Sequence, residues 1–217
     1  MFYSTEKLKE VIENHAIYLK DGDTSKCANL SGADLSYTDL SNVNLSFANL
    51  TGAAMINVDL HGADLRGANL SGVDLSGVDL SHAYLLHANL SGVDLSGVNL
   101  SGVNLSHADL SDANLTAANL TAANLSGANL IGADLSGVDL SGVDLSFVDL
   151  SFAYLSGVNL SGVDLSHADL TGADLSGADL TDAWLQNTMI KDTILTNAIL
   201  SGAWLNGARL PNARLPK

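Results

Sequence analysis

A large apolar residue stands at every fifth position of this chain, from Leu30 to Leu215, without one interruption. Of these 38 positions, only Met55 and Ile190 are not leucine. On an α-helix a step of five residues turns the chain by about 500°, so the leucines would spiral around the axis. In a strand an odd step would send successive leucines to opposite faces. The chain must therefore turn once in every repeat, and stacked repeats are the fold to consider first.

Each repeat consists of a small residue, Asp or Asn, Leu, Ser and a variable residue, as in residues 73–77 (Val-Asp-Leu-Ser-Gly). The small residue and Leu lie two positions apart, so both point inward from a short extended segment, and the Asp or Asn between them points outward. The Ser-Gly pair suits a type II turn, because Gly supplies the positive φ of its third residue. Pro211 and Pro216 occupy the serine position, where this turn favours proline.

The units resemble the repeats of the pentapeptide-repeat family, whose pattern A(D/N)LXX is matched by residues 28–32 (Ala-Asn-Leu-Ser-Gly) and by nearly every unit after them. The resemblance implies an all-β solenoid, a right-handed quadrilateral parallel β-helix of four units per coil. Trp184 and Trp204, and likewise His87 and His107, recur at an interval of 20, which agrees with four sides. We therefore expect one β-helix of about nine coils over residues 28–217.

Residues 1–27 do not follow the five-residue pattern and predict an N-terminal capping helix with a lead-in to the first coil. Ser4 or Thr5 can cap this helix, which is expected to end near His15. Its apolar residues at helical spacing are Leu8, Val11 and Ile12. We expect them to cover the open end of the first coil. Residues 15–19 (His-Ala-Ile-Tyr-Leu) also resemble a His-x-x-aromatic-Leu leader of some family members, and a packing role is expected for them.

Within residues 181–217 the outward position changes from Asp or Asn to large apolar residues. They are Trp184, Met189, Ile194, Ile199 and Trp204. A soluble monomer rarely exposes such a belt, so the belt favours a homodimer formed through the C-terminal coils. Coverage by the chain's own tail and contact with another partner are the alternatives. Some gyrase-directed members of the family are tail-to-tail dimers, so the resemblance also implies a dimer.

Acidic residues dominate the outward positions between residues 29 and 179, where sixteen of 31 are Asp and twelve are Asn. Arg66 is the only Lys or Arg between residues 28 and 180, and the formal net charge of the chain is −15. A nucleic-acid ligand is therefore not expected, because a binder needs a basic stripe. The charge per unit length, about 0.4 per ångström against about 0.6 for duplex DNA, makes mimicry of DNA possible.

Four units per coil would place the acidic residues on two adjoining faces, beside a neutral column. The acidic candidates are Asp34, Asp39, Asp59, Asp74, Asp79 and Asp94, and the neutral column is Asn29, Asn49, Asn69 and Asn89. Stacked carboxylates repel one another, and repulsion raises a carboxyl pKa. The stacking therefore predicts higher thermal stability at mildly acidic pH or in added salt.

Residues that could carry chemistry are better explained as turn residues. Ser, His and Asp occur together at 106–109 and at 166–169, but serine is present in nearly every repeat and a convex surface offers no pocket. The histidines that share one column are His87, His107 and His167. Two neighbouring imidazoles fall short of a dedicated metal site, which needs three or four ligands. Outward aromatic residues, expected to shield neighbouring turns, are Phe47, Tyr84, Phe147, Phe152 and Tyr154. No enzyme, cofactor or metal is predicted.

The sequence gives no sign of export or of membrane insertion. It begins without a basic, apolar leader, has no apolar run of 18 residues, and contains a single cysteine, Cys27. We expect a cytoplasmic, non-enzymatic rod that is a structural or protein-interaction scaffold with an unidentified partner. The resemblance supplies the alternative, a DNA mimic of the quinolone-resistance type that binds DNA gyrase or topoisomerase. A spacer without a partner is the third possibility.

Overall fold

Hydrogen bonding between residues twenty positions apart organises most of the chain. The computed structural model describes residues 5–216, in which the helices are α1 (Thr5–Asp21) and a 3-10 helix (Thr24–Lys26). Beyond them, the outward residues form parallel one-residue bridges with the residue 20 positions further on, from Asn29↔Asn49 to Ile194↔Arg214. Each straight segment contributes one bridged residue, so no longer strand forms within residues 5–216. Four repeats therefore complete one coil, as predicted.

The coil has four sides, which we number by their outward residues in steps of 20. Side 1 runs from Asn29 to Arg209, side 2 from Asp34 to Arg214, side 3 from Asp39 to Ile199, and side 4 from Asn44 to Trp204. The backbone hydrogen bonds alternate in direction along each side. The Leu30 N–H donates upward to the Asn49 carbonyl (2.7 Å), and the Asn49 N–H donates downward to the Ala28 carbonyl (2.9 Å).

A tight turn closes each corner. At the first corner the Ala33 N–H donates to the Leu30 carbonyl at 3.0 Å. The third residue of the turn has a positive φ, between +53° and +76°, at every fifth position from 32 to 212. Eighteen of these residues are not glycine, and none is β-branched, which is the class least tolerant of positive φ. The second turn residues do not share the positive φ, so the predicted type II turn is confirmed.

The leucine column fills the axis of the coils. From Leu30 to Leu185 every residue of the column is at most 1% exposed. The small residues two positions earlier pack beside it in the same hydrophobic cluster. Where threonine takes the small position its hydroxyl is satisfied, since Thr188 Oγ1 donates to the Leu165 carbonyl at 2.8 Å. The core thus consists of side chains stacked coil upon coil.

Helix α1 is longer than the sequence predicted, because it continues past His15 to Asp21. Residues 16–21 contain no glycine or proline, so nothing in them interrupts the helical hydrogen bonds. Gly22 ends the helix with φ +75°. Its N–H donates to the Tyr18 carbonyl at 2.8 Å, which is the αL type of C-cap. Ser4, one of the two proposed capping residues, lies outside the described residues.

Truncation of one central leucine tests the core directly. Leu110 is 0% exposed, so Leu110→Ala should lower the free energy of unfolding by about 2–5 kcal/mol, because the neighbouring coils cannot close the cavity. Leu215 belongs to the same column but is 56% exposed, and Leu215→Ala should cost no more than about 0.5 kcal/mol. Urea unfolding followed by circular dichroism measures both. Equal losses for the two variants would contradict a closed leucine core.

Candidate functional site

The outward Asp and Asn residues between positions 29 and 179 have a structural task at the corners of the coils. In the third coil Asp74 Oδ1 accepts the backbone N–H of Ser76 at 2.9 Å and the Ser76 hydroxyl at 2.6 Å. Asn49 Oδ1 accepts the same two groups from Thr51, at 3.1 and 2.8 Å. This arrangement is an Asx turn, which leads the chain into the corner. Asp and Asn supply the same acceptor oxygen, so the Asx turn does not need the charge.

The six acidic candidates lie on two adjoining sides. Side 2 holds Asp34, Asp74 and Asp94, and side 3 holds Asp39, Asp59 and Asp79. Bridges join Asp39 to Asp59 and Asp59 to Asp79, so these three carboxylates form a continuous column over three coils. The neighbouring stretch of side 1 carries only asparagine, from Asn29 to Asn89. The first coils therefore have an acidic half beside a neutral amide side.

The predicted rise in aspartate pKa is wrong for four of these residues. The serine hydroxyl two positions on, and then the serine backbone N–H, hold the pKa of each carboxyl below its usual value. The four are Asp34, Asp39, Asp74 and Asp79. Two donors directed at the carboxylate stabilise its charged form locally. The periodicity indicates repulsion between coils but does not show these donors.

One corner of the coil differs from the other three. At the corner between side 4 and side 1, aromatic and imidazole rings occupy most third turn positions, and we call these five residues the ring edge. They are Phe47, His87, His107, Phe147 and His167. The rings of His87 and His107 stack with centroids 5.1 Å apart, and those of Phe147 and His167 stack at 4.9 Å with an interplanar angle of 2°.

Glycine makes room for two of these rings. A Cβ atom at Gly67 would lie 2.7 Å from the ring of Phe47, and one at Gly127 would lie 2.6 Å from the ring of His107. Both rings therefore lean onto the coil above. From the sequence the three histidines were placed in one column, whereas Phe47 and Phe147 were considered scattered aromatic residues. All five positions differ by multiples of 20 and could therefore have been assigned to one column.

A shallow cavity interrupts the ring edge between Phe47 and His87. It has a volume of about 280 Å³ and is also lined by Ser46, Arg66, Gly67 and Leu86. Arg66 is held by its own repeat, since its Nη2 lies 2.5 Å from Asp64 Oδ2. The cavity is thus bounded by the rings of Phe47 and His87, and the guanidinium of Arg66 beside it is already paired with Asp64.

The histidines of the ring edge are not arranged for hydrolytic chemistry. The Ser106 hydroxyl donates to Asn104 Oδ1 at 2.6 Å, while His107 stacks on His87. Within residues 5–216 no three His, Cys, Asp or Glu side chains are grouped so that they could hold a metal ion. Across the same residues, no helix combines the length and the apolar character needed to span a membrane.

The predicted C-terminal belt is partly exposed. Trp184, Ile199 and Trp204 are 52%, 50% and 62% exposed, whereas Met189 and Ile194 are half-buried. In the last described coils the leucine column itself opens to solvent, with Leu205 36% exposed. Residues 205–216 therefore do not cover the belt.

Helix α1 contacts the first coil through its predicted apolar residues. Leu8 is buried in the main hydrophobic cluster, and Val11 and Ile12 pack against it while partly exposed. His15 is fully buried, and its Nδ1 accepts the Ala28 N–H at 3.0 Å. Burial lowers the pKa of His15, which favours the neutral ring that can accept this bond.

The sequence matches the family of pentapeptide repeats (8 copies) over residues 28–67, 68–107, 108–146, 149–188 and 173–215. No curated protein matches the chain.

Several solved structures are similar. HetL, a pentapeptide repeat protein involved in heterocyst differentiation regulation from the cyanobacterium Nostoc sp. strain PCC 7120, is 35% identical over 87% of this chain and 90% of HetL, with a TM-score of 0.49. A pentapeptide repeat protein of the Arabidopsis thaliana thylakoid lumen is 39% identical over 43% of this chain and 68% of that protein, with a TM-score of 0.37. A trypsin-treated form of QnrB1, a plasmid-mediated fluoroquinolone resistance protein, is 19% identical over 85% of this chain and 92% of that protein, with a TM-score of 0.46.

The lowered aspartate pKa values predict that stability falls in acid. A carboxyl whose folded pKa lies below its unfolded value of about 3.9 stabilises the fold above that value, and this contribution is lost as pH falls through the folded pKa. The urea concentration at the midpoint of unfolding should therefore decrease when the pH is lowered below about 4. Asp74→Asn combined with Asp79→Asn keeps both Oδ1 acceptors but cannot titrate, so its midpoint should fall less. A midpoint that rises steadily from pH 7 to pH 3 would show that repulsion dominates.

Proposed function

The chain belongs to the pentapeptide-repeat family, whose members fold as right-handed quadrilateral β-helices, and we propose that it is a non-enzymatic rod of about nine coils that binds other proteins. In this proposal the leucine column and the corner turns provide rigidity, and the exceptions to the repeat provide recognition. Pentapeptide-repeat proteins are generally structural or interaction proteins, and no enzyme family is indicated for this chain.

The observation that supports a binding role most strongly is the ring edge. Phe47 and Phe147 are 60% and 64% exposed, although each sits on a backbone with positive φ. A bulky ring in that conformation carries a conformational cost that glycine avoids, and glycine occupies many of the equivalent corners. Aromatic side chains on a rigid backbone are the anchors that protein interfaces use most. The partner surface is therefore proposed to run along this corner.

The C-terminal belt supports self-association. Its exposed members, Trp184, Ile199 and Trp204, adjoin the exposed Leu205 and Leu215. Together they form an apolar end on a protein whose remaining sides are mostly polar or acidic. We propose that two copies meet end to end through residues 181–216, which would remove this surface from water.

The second candidate is binding to DNA gyrase or topoisomerase through mimicry of DNA. The choice of Asp over Asn favours it. Asn closes the Asx turn equally well, as at Asn49, so the sixteen Asp residues at outward positions add charge that the turn does not require. A purified protein that leaves both DNA supercoiling by gyrase and its inhibition by quinolones unchanged would exclude this function.

The ring edge can be removed without changing the turns. We expect Phe47→Asn, Phe147→Asn and His167→Asn in one variant to abolish retention of a protein partner from the host lysate, because the aromatic anchors are lost. Asn42 and Asn57 occupy equivalent corner positions with φ of 57° and 53°, so the fold should tolerate Asn there. Tyr37→Asn and Phe152→Asn, on other corners, form the control variant. The partner should be identified with the wild-type chain and then measured by affinity capture with both variants. Equal retention by both would place the contact elsewhere.

The end-to-end dimer predicts a change of mass on charge insertion. Trp184→Asp with Trp204→Asp should convert a dimer into a monomer, because two carboxylates would be buried in the contact. Sedimentation velocity measures this. Tyr84→Asp with Tyr154→Asp, also outward but outside the belt, should leave the dimer intact. A wild-type protein that sediments as a monomer at all concentrations would contradict the dimer.

A further inference from the structure

The two tryptophans of the belt enclose a cleft. Trp184 and Trp204 are neighbours on side 4, joined by a parallel bridge, and each indole is more than half exposed. A cavity of about 210 Å³ lies between them, and Gln186 forms its third wall. These indoles are the only two in the chain.

The surroundings favour a cationic ligand. The faces of two indoles attract a cation, and tryptophan is the strongest of the aromatic residues in this respect. Asp164 lies directly below Trp184 on side 4 and adds negative potential. A guanidinium group combines the positive charge, the flat shape that stacks on indole and several N–H donors. Arginine is thus the side chain that fits the cleft best.

The chain itself carries two arginines of this kind. Arg209 on side 1 and Arg214 on side 2 are exposed, and neither forms an ion pair with a residue that the structure describes. Neither lines the cleft of its own chain. Both lie in the coil that would face a second copy in the proposed end-to-end dimer. An extended arginine side chain is longer than the spacing of about 4.8 Å between stacked coils, so it can cross such a contact.

Symmetry limits how the arginines can meet the second copy. Two four-sided ends that face each other have four two-fold registers. In one register side 1 faces side 1 of the other copy, which brings Arg209 against Arg209. In another, side 2 faces side 2, which brings Arg214 against Arg214. A third pairs side 1 with side 2 and brings Arg209 against Arg214. Only the fourth, which pairs side 1 with side 4 and side 2 with side 3, avoids all contacts between like charges.

We propose that Arg209 of each copy packs against the indoles of Trp184 and Trp204 of the other copy, with sides 1 and 4 paired across the dimer. In this register Arg214 lies over Ile199 and does not touch the cleft. This inference rests on the proposed dimer and adds its register and its central contact. The contact occurs twice in each dimer because the interface is isologous.

A double-mutant cycle on dimer dissociation tests the contact. Arg209→Met and Trp204→Leu should each weaken dimerisation by about tenfold or more, as expected for the loss of two cation–π contacts. Together they should weaken it little more than the stronger single change, because both remove the same contact. Arg214→Met is the matched control, and its effect should multiply with that of Trp204→Leu. Sedimentation over a concentration series measures all six proteins, which are the wild type, the three single variants and the two double variants.

Tryptophan fluorescence gives an independent reading, since only Trp184 and Trp204 emit. The emission of the wild-type dimer should change on dilution to the monomer, and Arg209→Met should shift the dimer spectrum at concentrations where it is still paired. If the wild-type protein is a dimer but the effects of Arg209→Met and Trp204→Leu on its dissociation constant multiply, the arginine contact is overturned and the dimer is not. A wild-type monomer would overturn the dimer and the contact together.

Discussion

The corner turn is the constraint on which the rest of this structure depends. Each turn changes the direction of the chain within two residues, so that every fifth leucine again points to the axis of the coil. The turn requires a positive φ at its third residue. In most repeats an Asp or Asn before the leucine also holds the entry to the turn through its Oδ1 atom. Leucine burial then stabilises the stack, but burial alone would not specify five residues per side. The local hydrogen bonds provide that geometry.

The Asx turn uses the oxygen of the outward residue and not its charge, which affects how the acidic surface is interpreted. The Asx turn uses a single side-chain oxygen, and both Asp and Asn supply it. At Asp34, Asp39, Asp74 and Asp79 the serine donors that close the turn also stabilise the charge, so carboxylates at these positions are compatible with the fold. The charge pattern is therefore free to vary between coils without loss of structure, and a binding partner could select it.

The sequence was sufficient for the features that depend on local rules. The leucine interval, the turn residues and the interval of 20 predicted the core, the corners and four sides, and all three are confirmed. The direction of the pKa shift was predicted wrongly for Asp34, Asp39, Asp74 and Asp79. It depends on whether repulsion between coils or donation by the serine hydroxyl is stronger, and the position of the hydroxyl is known only from the structure. The contact between His15 and Ala28 depends on where α1 folds back, which no periodicity encodes. The interval of 20 is sufficient to predict the ring edge. The histidines and the phenylalanines were nevertheless considered separately, so the five residues were not recognised as one column.

The two ends of the stack differ, and this difference would stop the proposed end-to-end association at two copies. At the N-terminal side, α1 buries Leu8 on the first coil and His15 accepts the Ala28 N–H, so part of that end already has a partner. At the other side, Trp204, Leu205 and Leu215 are exposed. A head-to-tail contact would have to displace α1 and would continue into a filament. An end-to-end contact uses the same open surface twice and closes, and the belt of large apolar residues lies around that surface only.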